Sequence, residues 1–215
     1  MHGMKCYAIL LVITALCSCS PGGAGNITTL YSEAALDGYV TWQGSASYTG
    51  SFTGTSVSIG DDVSDWVTRC FVSFDMSSIP AGAQIDAATL RMYQNGTSSG
   101  DSYSEPPGLG LGWILVNNTN YVTVPAPTWE DRFNDCTTGA DIGIGPISTS
   151  FSPNTWHELD VTTSAVDEVN SYHNGRLQFL LYHHYEKSSN GVADCDGWVM
   201  GDSATNRPEL VIRLK

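Results

Sequence analysis

Basic residues are scarce in this chain of 215 residues. Nine lysines and arginines stand against 22 aspartates and glutamates, and the formal net charge is −13. Proteins that bind nucleic acids use Lys and Arg to displace counterions from phosphates, so this composition argues against nucleic acid as a partner. The same acidity disfavours broad electrostatic binding of acidic polysaccharides, which would need a locally basic surface.

Long helical patterns and zinc motifs are missing as well. No alternation of strands with long helices is present, which argues against a nucleotide-binding α/β fold. No His/Cys cluster has the spacing of a zinc site. Asp194-Cys195-Asp196-Gly197 is similar to a fragment of a calcium loop, but the remaining ligands do not follow. We therefore expect no required cofactor; a structural calcium ion is compatible with the loops, although no residue is singled out as its ligand.

The N-terminus has the pattern of an export signal. Lys5 precedes an apolar run from Tyr7 to Leu16, which is too short for a transmembrane helix. Leu16-Cys17-Ser18-Cys19 is similar to a bacterial lipobox, which implies a diacylglycerol on Cys19 that holds the protein on a membrane. The alternative is ordinary signal cleavage in this region without a lipid. We predict a signal peptide over residues 1–19, a flexible tether over 20–26, and a location in the cell envelope or at the cell surface.

Short apolar-alternating runs, separated by Gly, Ser, Asn, Asp and Pro, make up the remaining chain. This pattern predicts an all-β fold over residues 27–215. We expect a single jelly-roll-like antiparallel β-sandwich with one short helix at Ser164–Tyr172. The predicted strands are Gly38–Trp42, Ser56–Ile59, Thr68–Phe74, Ala87–Gln94, Gly112–Val116, Thr155–Asp160, Leu177–Tyr185, Trp198–Gly201 and Glu209–Leu214.

Three cysteines lie outside the N-terminal segment, and three cannot all pair within one chain. Cys70 alternates with apolar residues, which is typical of a buried small hydrophobe. Cys136 and Cys195 lie in polar, loop-like sequence. We predict that these two form a disulfide.

Polar and aromatic side chains alternate with apolar ones on three of the predicted strands. If the apolar residues face the core, the polar ones point away from it. On a shared sheet, the following side chains would line one ligand-binding face: Arg69, Arg91, Tyr93, Tyr182 and His184. The alternative is that a second layer of chain covers this face and makes them buried hydrogen-bonding groups. Trp129, Trp156 and Trp198 are interpreted as structural residues.

The sequence contains only weak indications of a catalytic site. His183 and His184 are adjacent on a predicted strand, so they point to opposite faces and cannot both reach one substrate. A glycosidase needs two facing carboxylates, and no spacing singles out such a pair. We predict that the protein is not an enzyme.

Residues 69–93 carry the most informative pattern, a strand, a turn and a second strand. Phe74-Asp75 ends the first strand, Ser78-Ile79-Pro80-Ala81-Gly82-Ala83-Gln84-Ile85 forms the turn, and Ala88-Thr89-Leu90-Arg91-Met92-Tyr93 lies in the second. This segment closely resembles the DNRLRE (disaggregatase-related) domains, also classed as carbohydrate-binding module family 96.

Further segments match the same domains in the same order along the chain. They are Asp37-Gly38-Tyr39-Val40, Thr128-Trp129-Glu130-Asp131-Arg132 with Gly139-Ala140-Asp141, Trp156-His157-Glu158-Leu159-Asp160-Val161-Thr162, and Arg207-Pro208-Glu209-Leu210-Val211-Ile212. One departure is Cys136, near where relatives often carry a tryptophan. The resemblance implies a polysaccharide-binding module without catalytic activity. The alternatives are a structural or adhesive surface protein with protein partners, and a small polysaccharide lyase or hydrolase.

Overall fold

A computed structural model of the chain describes residues 25–99, 112–116, 128–134, 143–148, 152–167, 169, 175–183 and 191–215. These residues form an antiparallel β-sandwich, which confirms the predicted all-β fold. Within the described ranges, neither of the two short helices has the length and hydropathy of a membrane-spanning segment.

Twelve strands and two helices are present in the described ranges. The strands are β1 Ile27–Tyr31, β2 Gly38–Trp42, β3 Tyr48–Ser51, β4 Ser56–Asp61, β5 Val67–Asp75, β6 Ile85–Ser99, β7 Gly112–Val116, β8 Gly143–Pro146, β9 Thr155–Asp160, β10 Arg176–His183, β11 Asp194–Val199 and β12 Glu209–Leu214. The helices are α1 Trp129–Asn134 and α2 Thr162–Asp167. All nine predicted strands exist, with shifted ends in several cases, whereas β1, β3, β8 and α1 were not predicted.

Helix α2 begins at Thr162, two residues before the predicted start at Ser164. The Asp160 carboxylate accepts a hydrogen bond from the Thr162 amide at 2.9 Å and one from the Thr162 hydroxyl at 2.6 Å. This side chain satisfies one of the backbone donors that a helix start leaves unpaired, which favours the start of the helix here. Ala165 is the residue that the helix buries in the core.

The strands form one continuous antiparallel path that folds over on itself. Its order is β1-β12-β6-β11-β4-β5-β10-β7-β8, with β9 pairing with β6, and β2 pairing with β5 and β3. Only two residue pairs join β4 to β5, Gly60 with Thr68 and Asp61 with Val67. This narrow join separates a layer containing β1, β12, β6 and β9 from a layer containing β3, β2, β5, β10, β7 and β8.

The two layers share one hydrophobic core. Cys70, Val72 and Phe74 of β5 belong to the same buried cluster as Leu90 and Met92 of β6, and all five are at most 1% exposed. The predicted inward faces of both strands are therefore confirmed. Alternation along each strand then directs the neighbouring side chains outward, on opposite sides of the sandwich.

A second apolar layer covers the outer side of β5 and β10. Phe71 and Leu180 are buried there beneath Phe52 and Trp129, which shield this part of the sheet from solvent. Trp129 of α1 also packs closely on β3, where a Cβ on Gly50 would lie 2.5 Å from the indole ring. Glycine at this position lets the helix approach the sheet.

Arg69 lies under this helix, and its predicted exposure is wrong. It is only 7% exposed, and its Nη1 donates a hydrogen bond to the carbonyl oxygen of Phe133. Its guanidinium carbon lies 3.9 Å from the Phe133 ring centroid and 5.4 Å from that of Tyr182. The local pattern around Arg69 indicated an outward direction correctly, but α1 covers the surface to which it points.

We predict that Arg69→Ala lowers the free energy of unfolding by about 2–4 kcal/mol, because it removes buried cation–π contacts and leaves the Phe133 carbonyl without its donor. Urea denaturation followed by tryptophan fluorescence measures the loss. Arg213→Ala is the matched control, because Arg213 forms an exposed ion pair with Asp86 that contributes at most about 1 kcal/mol. Equal effects of the two variants would contradict this role for Arg69.

Candidate functional site

The structure separates the predicted binding residues instead of bringing them onto one face. Arg91 and Tyr93 point outward from β6 in one layer, whereas Tyr182 lies beside Arg69 on the outer side of the other layer. Because both layers bury their inner sides in the shared core, these outer sides face away from each other. His184 lies outside the described residues.

A row of side chains crosses the outer side of β1, β12, β6 and β9. Tyr31 is opposite Glu209, Glu209 is opposite Arg91, and Arg91 is opposite Glu158. Tyr93 is opposite Trp156 two residues further along β6 and β9. We call this surface the aromatic face, defined by these outward side chains together with Arg207: Tyr31, Arg91, Tyr93, Trp156, Glu158, Arg207 and Glu209.

Arg91 holds the centre of the aromatic face in place. Its Nε donates to the Glu158 carboxylate at 2.9 Å, and its Nη1 donates to the Glu209 carboxylate. Its guanidinium carbon lies 4.7 Å from the ring centroid of Trp156, which packs edge-on against Tyr93 at 5.4 Å. Two charge-assisted hydrogen bonds and a cation–π contact fix the indole before any ligand arrives.

An open groove of about 330 Å³ lies beside this cluster. It is lined by Tyr31, Trp156, Ala204, Asn206, Arg207 and Glu209. Tyr31 is 53% exposed, and the Arg207 guanidinium carbon lies 5.6 Å from its ring centroid. Aromatic faces next to carboxylate, guanidinium and amide groups can pack on the apolar side of a ligand while they hydrogen-bond to its polar groups.

The three tryptophans interpreted as structural divide into two kinds. Trp198 is buried in the core and Trp129 packs between α1 and the sheet, as expected for structural residues. Trp156 packs on its neighbours but also lines the groove, so a purely structural role does not describe it. The sequence interpretation missed Tyr31 and Arg207. For Tyr31 a signal existed, because Ile27, Thr29 and Tyr31 occupy alternate positions and would share one exposed side if this segment formed a strand.

The predicted loop at Asp194–Gly197 is part of strand β11 and not a calcium loop. Asp196 is buried, and its Oδ2 lies 3.3 Å from His183 Nε2. Cys195 lies on this strand opposite Gly60, so its predicted loop position is wrong. Cys136 lies outside the described residues, and its disulfide with Cys195 stays a prediction.

The fold and the face define a class of protein, a small β-sandwich with an aromatic and polar groove on one outer sheet. The family comparison agrees with that class. Residues 28–213 match carbohydrate-binding module family 96, and the chain belongs to this family. No curated protein matches the chain.

A buried carboxylate lies close to the edge of the aromatic face. Burial raises the pKa of the Asp37 carboxyl from 3.8 to about 7. The Ser32 hydroxyl, the Ser73 amide and the positive charge of Arg207 act in the opposite direction, while Glu33 adds to the rise. The folded state therefore binds a proton at Asp37 more tightly than the unfolded chain does.

We predict that this group makes the folded state less stable as the pH rises from about 4 to about 7, because the unfolded carboxyl has already lost its proton over that range. Between pH 4 and pH 8 the free energy of unfolding of the natural chain should fall by about 2–4 kcal/mol more than that of Asp37→Asn. Urea denaturation at the two pH values, in buffer free of divalent cations, measures both slopes. Parallel pH dependences of the two proteins would show that Asp37 is ionised in the folded state like an ordinary surface carboxylate.

Proposed function

We propose that this protein is an exported, lipid-anchored polysaccharide-binding module that is displayed at the cell surface and does not cleave its ligand. Membership of carbohydrate-binding module family 96 supports carbohydrate as the ligand class. The observation that carries the proposed site is the groove beside Trp156 and Tyr31 on the outer side of β1, β12, β6 and β9. A polysaccharide chain lies across this aromatic face.

The chemistry of the aromatic face suits a sugar polymer. A pyranose ring has an apolar side of C–H groups, which the faces of Tyr31 and Trp156 cover, and a rim of hydroxyls. Glu209 and Asn206 line the same groove and supply hydrogen-bond acceptors and donors for that rim. Since Arg91 already holds Trp156 in position, little side-chain entropy is lost when the ligand binds.

The carboxylates of the aromatic face favour binding over hydrolysis. Glu158 and Glu209 both accept hydrogen bonds from the Arg91 guanidinium, which lies between them. A hydrolase instead needs an acid and a base that act on opposite sides of the glycosidic bond. The aromatic face therefore positions a ligand without an evident pair of groups to cleave it.

We predict that the soluble domain starting at Gly25 binds a subset of neutral or acidic polysaccharides on a glycan array. Tyr31→Ala and Trp156→Ala should each weaken binding by about tenfold or more, because each removes an aromatic surface on which a sugar packs. Trp66→Ala is the matched control, since Trp66 is 40% exposed but precedes β5 in the other layer. Isothermal titration calorimetry on the best ligand of the array gives the affinities.

Three results would each count against a different part of this proposal. Equal affinities of Tyr31→Ala, Trp156→Ala and the control would move the site away from the aromatic face. No binding to any glycan, together with concentration-dependent self-association in sedimentation, would favour the structural or adhesive alternative. Release of reducing ends from the bound polysaccharide would overturn the non-catalytic assignment.

The anchor gives a separate prediction about location. In a bacterial host that expresses the full chain, the natural protein should sediment with membranes and incorporate labelled fatty acid. Cys19→Ala should lose the label and move to the soluble fraction, because the acyl chains contribute about 0.8 kcal/mol for each buried methylene. Cys17→Ala is the control for a cysteine in the same segment. Labelling of Cys19→Ala would show that the lipid is attached elsewhere.

A further inference from the structure

Strand β1 forms one edge of its layer. In the described part of the chain it pairs with β12 alone. Hydrogen bonds close this ladder at both ends, from the Leu214 amide to the Asn26 carbonyl at 2.9 Å and from the Ser32 amide to the Pro208 carbonyl at 3.0 Å. In an antiparallel pair, alternate residues direct both of their backbone groups toward the partner strand. The even-numbered residues of β1 therefore face β12.

The odd-numbered residues of β1 direct their backbone groups away from β12. They are Ile27, Thr29 and Tyr31, so three N–H groups and three C=O groups lie along the outer edge of the strand. No hydrogen bond from a described residue reaches these groups. An edge of this kind is a template on which a further strand can pair.

β1 lacks the features that usually protect a sheet edge. Its sequence, Ile-Thr-Thr-Leu-Tyr, contains no charged residue and no proline. Ile27 is 68% exposed and Tyr31 is 53% exposed, and both side chains lie on the outer side of the layer. Lysine, proline or an inward-pointing charge would discourage strand addition, and β1 has none of them.

The other edges among the described strands are protected. β9, at the opposite edge of the same layer, carries the exposed acidic residues Glu158 and Asp160. If β9 paired with a copy of itself about Glu158, two carboxylates would lie opposite each other, which is unfavourable. In the other layer, β3 and β8 have only four residues each, and β8 contains Pro146.

We propose that β1 pairs antiparallel with β1 of a second copy of this chain, about a twofold axis at Thr29. This register places Thr29 opposite Thr29 of the second copy, and Ile27 opposite Tyr31 of the second copy. Three N–H groups from each copy then bond to the three C=O groups of the other, so every free backbone group on both edges is satisfied.

The side chains of the joined strands are compatible with each other. Each end of the joint pairs a β-branched residue with an aromatic one, and such cross-strand pairs are favourable. Behind them in β12, Glu209 lies beside Tyr31 and Arg213 lies beside Ile27. The twofold axis therefore brings Glu209 of one copy and Arg213 of the other into the same row. Although the net charge is −13, the joint places no like charges opposite each other.

The joint would unite the two aromatic faces on one side of a single eight-stranded layer. Cα atoms of the two Tyr31 residues lie about 14 Å apart, from four residues at about 3.3 Å along the strand and one strand spacing of about 4.8 Å. The groove beside each Tyr31 gains Ile27 of the second copy as a neighbour. One polymer could contact both grooves and bind with avidity. This consequence rests on the proposed function, whereas the pairing of the strands does not.

Sedimentation of residues 20–215, which include every described residue, tests the pairing. An interface of this size is small, so we expect the average mass to rise toward that of two copies between about 10 μM and about 1 mM. Thr29→Pro removes the central edge N–H without removing a bond to β12, and it should raise the dissociation constant of the dimer about tenfold or more. Thr29→Lys, which places two ammonium groups opposite each other, should do the same.

Thr155→Lys is the matched control, because Thr155 is an exposed threonine on β9, the opposite edge of the same layer. This variant should dimerise as the natural chain does. Amide exchange measured by NMR at both concentrations gives a second readout. The amides of Ile27, Thr29 and Tyr31 should exchange about fivefold or more slowly at the higher concentration, whereas those of Thr28 and Leu30 should be protected at both.

Three outcomes would overturn the pairing. A mass of one copy at every concentration, with rapid exchange at Thr29, would show that the edge stays open. Slow exchange at Thr29 in a monomer would show that another segment of the same chain covers β1. A dimer that both Thr29 variants leave intact would lie on another surface. Since no glycan is present in these measurements, none of these results would bear on the polysaccharide-binding function.

Discussion

The shared core between the two layers is the constraint on which the other features of this domain depend. Every central strand must bury one side there, so its other side is directed outward on one of two opposite surfaces. The outer side of β5 and β10 carries Phe71 and Leu180, whose exposure would be unfavourable, and α1 covers it. The outer side of β12 and β6 carries charged residues and aromatic rings with polar neighbours, and it remains open as the aromatic face. One surface is covered and the other is open because the outward residues of the first are apolar, whereas those of the second are polar or charged and can be exposed to water.

Local sequence patterns were sufficient to predict the strands whose apolar residues alternate clearly. The pattern of residues 69–93 predicted both strands and their inward sides. Cys70 and Val72 alternate along the first strand, and Leu90 and Met92 along the second, with the period of a half-buried strand. The strands β3 and β8 were missed, since Tyr-Thr-Gly-Ser and Gly-Ile-Gly-Pro contain too few apolar residues for any period to show. Helix α1 has only six residues and lies in a segment rich in turn-forming residues. Such elements form because their neighbours pack against them, and a local pattern does not report that.

The candidate site could be predicted only in part for a related reason. Arg69 and Arg91 have the same local pattern, each one residue before an inward-facing side chain, and yet only Arg91 lies on an open surface. Which of the two is covered depends on α1, a helix about 60 residues after Arg69 in the chain. Similarly, Tyr31 joins the aromatic face only because β1 pairs with β12 at the far end of the sequence. The residue types were informative, but their assembly depends on long-range pairing that one-dimensional patterns do not contain.

The pairing of β1 with β12 also has a mechanical consequence. The proposed anchor precedes β1, so a pull on a bound polymer would be transmitted between the aromatic face and the membrane through this strand. β1 runs antiparallel to β12, with five residue pairs in register from Ile27 with Arg213 to Tyr31 with Glu209. A force along the strand loads these hydrogen bonds together in shear, whereas a force across the strand would break them one after another. With the proposed anchor in place, the domain would hold tension best when the tether is drawn out along the axis of β1.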